Sequence, residues 1–201
     1  MEERIRKRKI VLVGTGFVGM SFAYSLLSEK GINELVLIDM NKDKAVGEQM
    51  DLSDGLPYAD SKMTIKAGEY EECGDADIVV ITAGAAQKPG QTRLELVGIN
   101  ARITKDVATQ VKNSGFKGIL VVASNPVDIM TYVAYKASGL PKEHVIGSGT
   151  ILDTARLRYN ISKRLGMAPS NVHAYILGEH GDSSFVPWIH CYLGCKNLLE
   201  Y

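Results

Sequence analysis

Hydrophobic residues occur in short runs, separated by longer segments with helical spacing, along the chain as far as Pro141. The runs are rich in β-branched residues and apolar at nearly every position, which is typical of strands covered by helices on both faces. We expect strands over residues 10–13, 35–38, 63–66, 78–82 and 119–123. Segments such as 17–30 and 94–114 are long enough for crossover helices. The pattern predicts an α/β fold built on a doubly wound parallel sheet.

The pattern changes after Pro141. A short strand over 144–146 and a helix over 150–165 precede β-rich segments around 172–177 and 183–186. This mixture indicates the start of a second, α+β domain rather than another turn of the same sheet. We expect domains over residues 1–147 and 148–201.

Charge and cysteine content exclude several classes of partner. Lys plus Arg and Asp plus Glu number 23 each, so no overall field favours nucleic acid or a membrane surface. The basic start, from Met1 to Lys9, is diluted by two glutamates and is expected to be a solvated arm. A glycine-rich turn at Gly14 interrupts any signal-peptide segment, and no apolar stretch is long enough to span a bilayer. A small molecule is the favoured partner.

The three cysteines, Cys73, Cys191 and Cys195, form no metal-ligand doublets. An odd number without a framework predicts reduced thiols in a cytoplasmic protein. No metal is assigned.

Gly14, Gly16 and Gly19 form the motif GTGFVG between the first strand and a helical segment. Glycines there let a pyrophosphate approach backbone N–H groups at a helix N-terminus, although a tight turn without a ligand has the same composition. Asp39 ends the second strand, twenty residues after Gly19. A carboxylate there accepts hydrogen bonds from the adenosine ribose and disfavours the extra phosphate of NADP. Together these residues predict NAD as cofactor.

His180 lies between two glycines after an apolar segment, where a hairpin would project it into a cleft. A histidine buried in a core is the alternative. Asp153 and Arg156 lie three residues apart on one face of a predicted helix, offering an acid for the imidazole and a fork for a carboxylate. Arg93 follows a Pro/Gly-bearing segment with the composition of a mobile lid, or of a solvated loop.

The motifs GTGFVG, VLIDM, TAGAAQKPGQTRLELV, VVASNPVDI, GSGTILDTARLR and LGEHGDSS occur in this order. The series resembles that of the lactate/malate dehydrogenase family, and the resemblance covers essentially every residue of the chain. The resemblance implies that His180 is the acid/base, that Asp153 orients it and that Arg156 binds the substrate carboxylate. Arg93 would close over the reacting carbonyl, and Asn125 would hydrogen-bond its oxygen. Keto-acid reduction would consume the protonated histidine, so the direction would depend on pH.

The same resemblance implies a Rossmann cofactor domain followed by the first part of a substrate domain. Its cofactor contacts would come from the three glycines, Asp39 and a further set: Phe17, Val18, Ala83, Gly84, Ala123, Asn125 and Ser148.

Gln87 is expected to select the substrate. At this lid position the family's lactate dehydrogenases resemble one another in carrying glutamine, whereas its malate dehydrogenases carry arginine for a second carboxylate. A neutral amide favours pyruvate, because oxaloacetate would leave a carboxylate unpaired in a closed site. The adjacent Lys88 keeps malate open as the alternative, and a bulkier 2-keto acid is a further one.

Arg158 and His173 are similar to positions at which bacterial members activated by fructose 1,6-bisphosphate present cations across a subunit interface. Such a site requires a symmetric oligomer, here a homotetramer. Two ordinary surface residues are the alternative.

The family's chains normally continue well past the histidine hairpin. We therefore expect this chain to lack roughly the last third of a family member. This suggests two competing hypotheses: a catalytically inactive fragment that binds NAD, and a structural protein that uses no cofactor. The presence of Asp39 and the glycines disfavours the second.

Overall fold

A computed structural model describes residues 8–86, 90 and 92–201 of the 201-residue chain. The chain divides into two compact units, one ending at Gly147 and the other running from Ser148 to Tyr201.

The first unit alternates strands with helices. Its strands are β1 (Lys9–Val13), β2 (Glu34–Ile38), β3 (Thr64–Ala67), β4 (Ile78–Ile81), β5 (Ile119–Val122) and β6 (Val145–Gly147). Its helices are α1 (Phe17–Leu26), α2 (Lys42–Gly55), α3 (Arg93–Asn113) and α4 (Val127–Ser138). Short 3₁₀ turns cover Leu56–Tyr58, Tyr70–Cys73 and Lys142–His144. The predicted strands are confirmed to within a residue or two at each end, whereas the first helix ends four residues earlier than the 17–30 segment allowed.

All six strands are parallel and lie in the order β3-β2-β1-β4-β5-β6. The chain winds outward from β1 in one direction and then from β4 in the other. The doubly wound α/β fold is confirmed. In such a sheet a crevice opens between β1 and β4 at the carboxyl ends of the strands, where the winding reverses.

Successive residues of β1 pack on opposite faces of the sheet. Ile10 and Leu12 belong to a core with residues of α1 and α2, and Val11 and Val13 to a core with residues of α3 and α4. This explains why the strands lack a polar alternation: both faces are covered.

Lys9 departs from the expected solvated arm. Its side chain is only 6% exposed, and its Nζ lies 2.6 Å from both Glu72 Oε2 and Asp75 Oδ1. Burial lowers the pKa of Lys9, but the hydrogen bonds and charges of Asp75 and Glu72 outweigh it, so the net pKa is raised. The buried sheet therefore begins at Lys9, and Arg8, the other described residue of the predicted arm, is exposed.

The second unit consists of α5 (Ile151–Leu165) and short strands β7 (Val172–His173), β8 (Tyr192–Leu193) and β9 (Lys196–Asn197), in an antiparallel sheet. Turns of 3₁₀ helix cover Pro169–Asn171, Trp188–His190 and Leu198–Glu200. The expectation of strands over 172–177 and 183–186 was wrong in extent. Only Val172 and His173 form ladder pairs, and the other segment contributes one antiparallel bridge, between Leu177 and Phe185.

Among the described residues, no helix combines the length and apolar character needed to cross a bilayer. The three cysteines are free thiols; Cys73 and Cys191 are buried and Cys195 is exposed.

The native chain should therefore expose a single reactive thiol. Burial raises the pKa of Cys73 to about 12, which keeps that thiol protonated and unreactive at neutral pH. A disulfide-exchange reagent at pH 8 should titrate Cys195 quickly, and Cys73 and Cys191 only after denaturation. A Cys195→Ser variant that retains the fast phase would contradict the buried positions of the other two.

Candidate functional site

A cleft of about 390 Å³ opens at the carboxyl ends of β1, β2 and β4. It is lined by residues that the sequence had singled out, namely Gly14, Gly16, Asp39, Ala83 and Gly84. The carboxyl edge of a doubly wound sheet is where ligands of such folds bind, at the point where the strand order reverses.

The glycines of the motif have different tasks. A Cβ built on Gly14 would lie 2.6 Å from the backbone nitrogen of Ala83, and one on Gly19 would lie 2.0 Å from the carbonyl oxygen of Gly14. These two positions therefore allow α1 to pack directly against β1 and β4. A Cβ on Gly16 would meet nothing within 4 Å, so this position borders open space.

Gly16 is also the N-cap of α1, and it has no side chain to cap the helix. Helix α1 accordingly begins at the edge of the cleft that Gly16 lines, where an anion would meet the uncapped N-terminus and the positive end of the helix dipole. This arrangement fits a pyrophosphate.

Asp39 lines the same cleft and is held by the glycine-rich turn. Its Oδ2 accepts hydrogen bonds from the backbone N–H of Thr15 at 2.8 Å and from the Thr15 hydroxyl at 2.9 Å. Its Oδ1 accepts one from the backbone N–H of Asn41 at 2.9 Å. Burial raises the pKa of Asp39, but these bonds and the charge of Lys44 outweigh it and lower the pKa below its usual value. The ionised carboxylate retains acceptor capacity on Oδ1, which suits a ribose hydroxyl.

Sequence reasoning missed several residues that line or support this cleft. Lys44 and Tyr70 line it, the latter from the 3₁₀ turn after β3. Thr15 is completely buried and acts only through Asp39 and the turn. Lys44 lies five residues after Asp39, so its place in the cleft could have been predicted from the sequence. Tyr70 is distant in sequence from every motif.

The loops after β4 and β5 are joined by buried polar side chains. The Ser124 hydroxyl donates to the carbonyl oxygen of Ala83 at 2.6 Å. Asn100, on α3, accepts from the backbone N–H of Ala85 at 2.8 Å and donates to the carbonyl oxygen of Asn125 at 2.9 Å. Asn125 itself is exposed, and a cis peptide bond joins it to Pro126.

The predicted imidazole–carboxylate pair is present in the second unit. His180 Nδ1 lies 2.5 Å from Asp153 Oδ2, and the two side chains are 29% and 21% exposed. Arg156, one helical turn from Asp153, places Nη1 3.6 Å from the other carboxylate oxygen, Oδ1, and is 65% exposed. Asp153 thus faces the histidine with one oxygen and the arginine with the other, while both remain partly accessible to a ligand.

Backbone contacts fix the hairpin that carries His180. Leu177 and Phe185 exchange two backbone hydrogen bonds of 2.9 Å across its base. The preceding residue, Ile176, is tied to α5 twice: its carbonyl accepts from the Thr150 hydroxyl at 2.6 Å, and its N–H donates to the Thr154 hydroxyl at 3.0 Å. The hairpin is therefore anchored to the helix that supplies Asp153.

For the other predicted site residues, the structure gives less information about their roles. Gln87 and Lys88 lie outside the described residues, as does the side chain of Arg93, whose backbone begins α3 behind a Thr92–Glu95 capping box. Phe17 and Val18 begin α1 and are 97% and 59% exposed, and neither lines the cleft. Ala123 directly follows β5, and Ser148 directly precedes the turn into α5; both are half-buried. No group of three or more His, Cys, Asp or Glu side chains within the described residues is arranged to hold a metal ion.

A doubly wound sheet with a dinucleotide-type cleft, followed by a unit bearing an imidazole–carboxylate pair, is typical of the nicotinamide-dependent dehydrogenase class. Models of two family domains match the chain: the NAD binding domain of lactate/malate dehydrogenase over residues 8–147, and the alpha/beta C-terminal domain over residues 150–200. The chain belongs to the lactate/malate dehydrogenase family, and its cofactor is NAD.

Several relatives are similar along nearly the whole chain. An L-lactate dehydrogenase of Lactococcus lactis subsp. cremoris is 54% identical over 198 residues, which are 98% of this chain and 63% of the relative. L-lactate dehydrogenase 2 of Enterococcus faecalis is 54% identical over 197 residues, 98% of this chain and 62% of its own. The crystal structure of the ligand-bound minor L-lactate dehydrogenase from Enterococcus mundtii superposes with a TM-score of 0.95 at 53% identity, over 98% of this chain and 62% of that one.

The two glycines with opposite surroundings give a matched pair of variants. Gly19→Ala forces a methyl group onto the Gly14 carbonyl, and overpacking of this kind costs about 1–3 kcal/mol. A thermal scan should show its Tm lowered by about 3 °C or more. Gly16→Ala has room in the fold, so its Tm should stay close to that of the parent chain. Its added methyl group faces the phosphate path, and fluorescence titration should show NADH binding weakened at least about tenfold.

The opposite pattern, with Gly16→Ala unstable or binding NADH normally, would contradict the assignment of the α1 N-terminus as the pyrophosphate site.

Proposed function

We propose that this chain catalyses the reversible reduction of pyruvate to L-lactate with NADH. The observation that carries the proposal is the His180–Asp153 contact, on a hairpin anchored to the helix that bears Arg156. The L-lactate dehydrogenases to which the chain is similar support it. Because the chain spans about 63% of the length of these relatives, the activity remains a proposal for this chain.

The proposed roles follow from the geometry of the second unit. Asp153 keeps the imidazole oriented, because its Oδ2 lies 2.5 Å from His180 Nδ1. His180 then donates its proton to the oxygen of the substrate carbonyl as that oxygen becomes an alkoxide. Bound NADH supplies the hydride for the carbonyl carbon. The product gains one hydride and one proton, and the neutral imidazole takes the proton back in the reverse direction.

The remaining roles concern charge on the substrate. Arg156 would bind the substrate carboxylate with its guanidinium fork, and its high exposure leaves that fork accessible. Asn125 and Arg93 would stabilise the developing alkoxide, as the family resemblance implies. In the first unit, the glycines and Asp39 would hold the pyrophosphate and the adenosine ribose, respectively.

Substrate choice is assigned to Gln87. Its neutral amide would suit the methyl group of pyruvate and would leave the second carboxylate of oxaloacetate without a partner. Malate dehydrogenase activity is the alternative, with Lys88 as the compensating charge.

Regulation by fructose 1,6-bisphosphate belongs to the same proposal. Arg158 borders a hollow of about 640 Å³ in the second unit, together with Thr150, Thr154 and Ser170. Its Nε donates to the carbonyl oxygen of Ala174 at 2.9 Å, and its guanidinium carbon lies 4.5 Å from the centroid of the Tyr175 ring. These contacts hold the cation in place, and the exposed His173 directly precedes Ala174 in the chain. A fixed guanidinium suits a phosphate group of the effector.

A homotetramer would bring pairs of such residues together across an interface, as a symmetric effector requires. This assembly and a cytoplasmic location rest on the family resemblance and, for the location, on the three free thiols.

Turnover and cofactor binding should be measured in the same sample. We expect the chain to oxidise NADH faster with pyruvate than with oxaloacetate. His180→Asn should reduce turnover at least about a hundredfold, because it removes the proton donor, and should leave NADH fluorescence binding unchanged. The matched control is His190→Asn, an exposed histidine of the same unit, which should behave like the parent chain.

Unchanged turnover in His180→Asn would overturn the catalytic assignment. Faster oxidation with oxaloacetate would favour the malate alternative. Bound NADH without turnover of either substrate would mean that the chain acts as a cofactor-binding fragment.

The regulatory proposal has its own test. Adding fructose 1,6-bisphosphate should raise the rate at low pyruvate, and Arg158→Gln should abolish that activation, because a phosphate loses its cationic partner. Arg164→Gln, at the exposed last turn of the same helix, is the control that should keep it. Equal activation in the two variants would exclude Arg158 from the effector site.

A further inference from the structure

Asn100 occupies an unusual position for a polar side chain in the middle of a helix. It lies on α3 and is only 4% exposed. Both hydrogen bonds of its carboxamide go to residues outside that helix. Its oxygen accepts from the backbone N–H of Ala85, and its nitrogen donates to the backbone carbonyl of Asn125. Both ends of one amide are thus used to join two loops that come from different strands.

The two loops belong to different parts of the proposed site. The loop after β4 provides Ala83, Gly84 and Ala85, which line the cofactor cleft. The loop after β5 ends in Asn125, the residue proposed to bind the substrate oxygen. The carboxamide of Asn100 also lies beside the first loop, because a Cβ on Gly84 would be in van der Waals contact with it, 3.5 Å from its oxygen.

We propose that Asn100 is a positioning residue of the reaction: its carboxamide fixes the spacing between the cofactor loop and Asn125. The inference rests on the proposed function, because Asn125 binds the substrate oxygen only if the chain has that function. Asn100 itself touches neither substrate nor cofactor in this role. Its effect on turnover passes through the backbone of Asn125, and its effect on cofactor binding passes through Ala85.

The geometry allows these two effects to be separated. Asn100→Asp keeps an oxygen for the Ala85 N–H and loses the donor to the Asn125 carbonyl whenever the new carboxyl is ionised. The neutral acid regains a donor, since its O–H takes the place of the amide N–H. Asn100→Leu has a similar volume and loses both bonds. Asn113→Asp, an exposed position at the end of the same helix, is the matched control.

We would measure kcat, pyruvate KM and NADH affinity across pH, and hydrogen exchange of the Ala85 amide, in all four proteins. Losing one partner of a buried hydrogen bond should lower the kcat of Asn100→Asp at least about fivefold at high pH. Its NADH affinity and Ala85 protection should stay close to those of the parent chain. The ratio of its kcat to that of the parent should recover as pH falls and the acid becomes neutral. Asn100→Leu should lose kcat, NADH affinity and Ala85 protection together, and Asn113→Asp none of them.

A pH-independent ratio for Asn100→Asp, or a loss confined to NADH affinity with normal kcat, would overturn the positioning role. So would parental kinetics in Asn100→Leu. If Asn100→Leu fails to fold, Asn100→Asp decides the question alone through its pH profile. Absence of turnover in the parent chain would remove the proposed function and with it this role in the reaction. Rapid exchange of Ala85 in the parent chain would instead show that the hydrogen-bonded link itself is absent.

Discussion

The direct packing of helix α1 against the carboxyl ends of β1 and β4 is the constraint on which the cofactor site depends. It exists only because two positions carry no side chain, so that the Gly14 carbonyl can sit where a Cβ of Gly19 would otherwise be. This packing places the uncapped N-terminus of α1 at the edge of the cleft. It also brings Thr15 within reach of Asp39 on the neighbouring strand. The helix packing, the proposed anion site and the carboxylate proposed to bind the ribose are therefore set by one local geometry.

In the second unit, too, one residue determines the placement of several others. Asp153 contacts His180 with one oxygen and Arg156 with the other, so the orientation of the proposed acid/base and of the proposed carboxylate-binding group depends on a single side chain. Its helix is linked by Thr150 and Thr154 to the segment that leads into the hairpin. The small apolar core of this unit, built around Val172, supports that arrangement with few buried residues.

Much of the fold was predictable because its signals are local. Continuous apolar runs identified the parallel strands, and the glycine motif followed by an acidic residue identified the cofactor cleft. The His180–Asp153 contact was also predictable, because the resemblance to the lactate/malate dehydrogenase motifs pairs an acid on α5 with the histidine of the hairpin. These features depend on residues close in sequence or on a few motifs with known geometry.

The errors and omissions concern long-range contacts. Lys9 resembled its basic neighbours in sequence, but two carboxylates more than sixty residues away stabilise it in a buried position. The β-rich segments near residues 172–186 had strand composition, yet the described residues offer ladder partners only to Val172 and His173. Asn100 carried no signal at all, because a single amide in an amphipathic helix reveals nothing about the loops on either side of it.

Asp39, finally, has two roles that a single substitution changes together. The carboxylate that would distinguish NAD from NADP also accepts hydrogen bonds from the backbone N–H groups of Thr15 and Asn41. A substitution of Asp39 that changes the cofactor preference would therefore also loosen the glycine-rich turn.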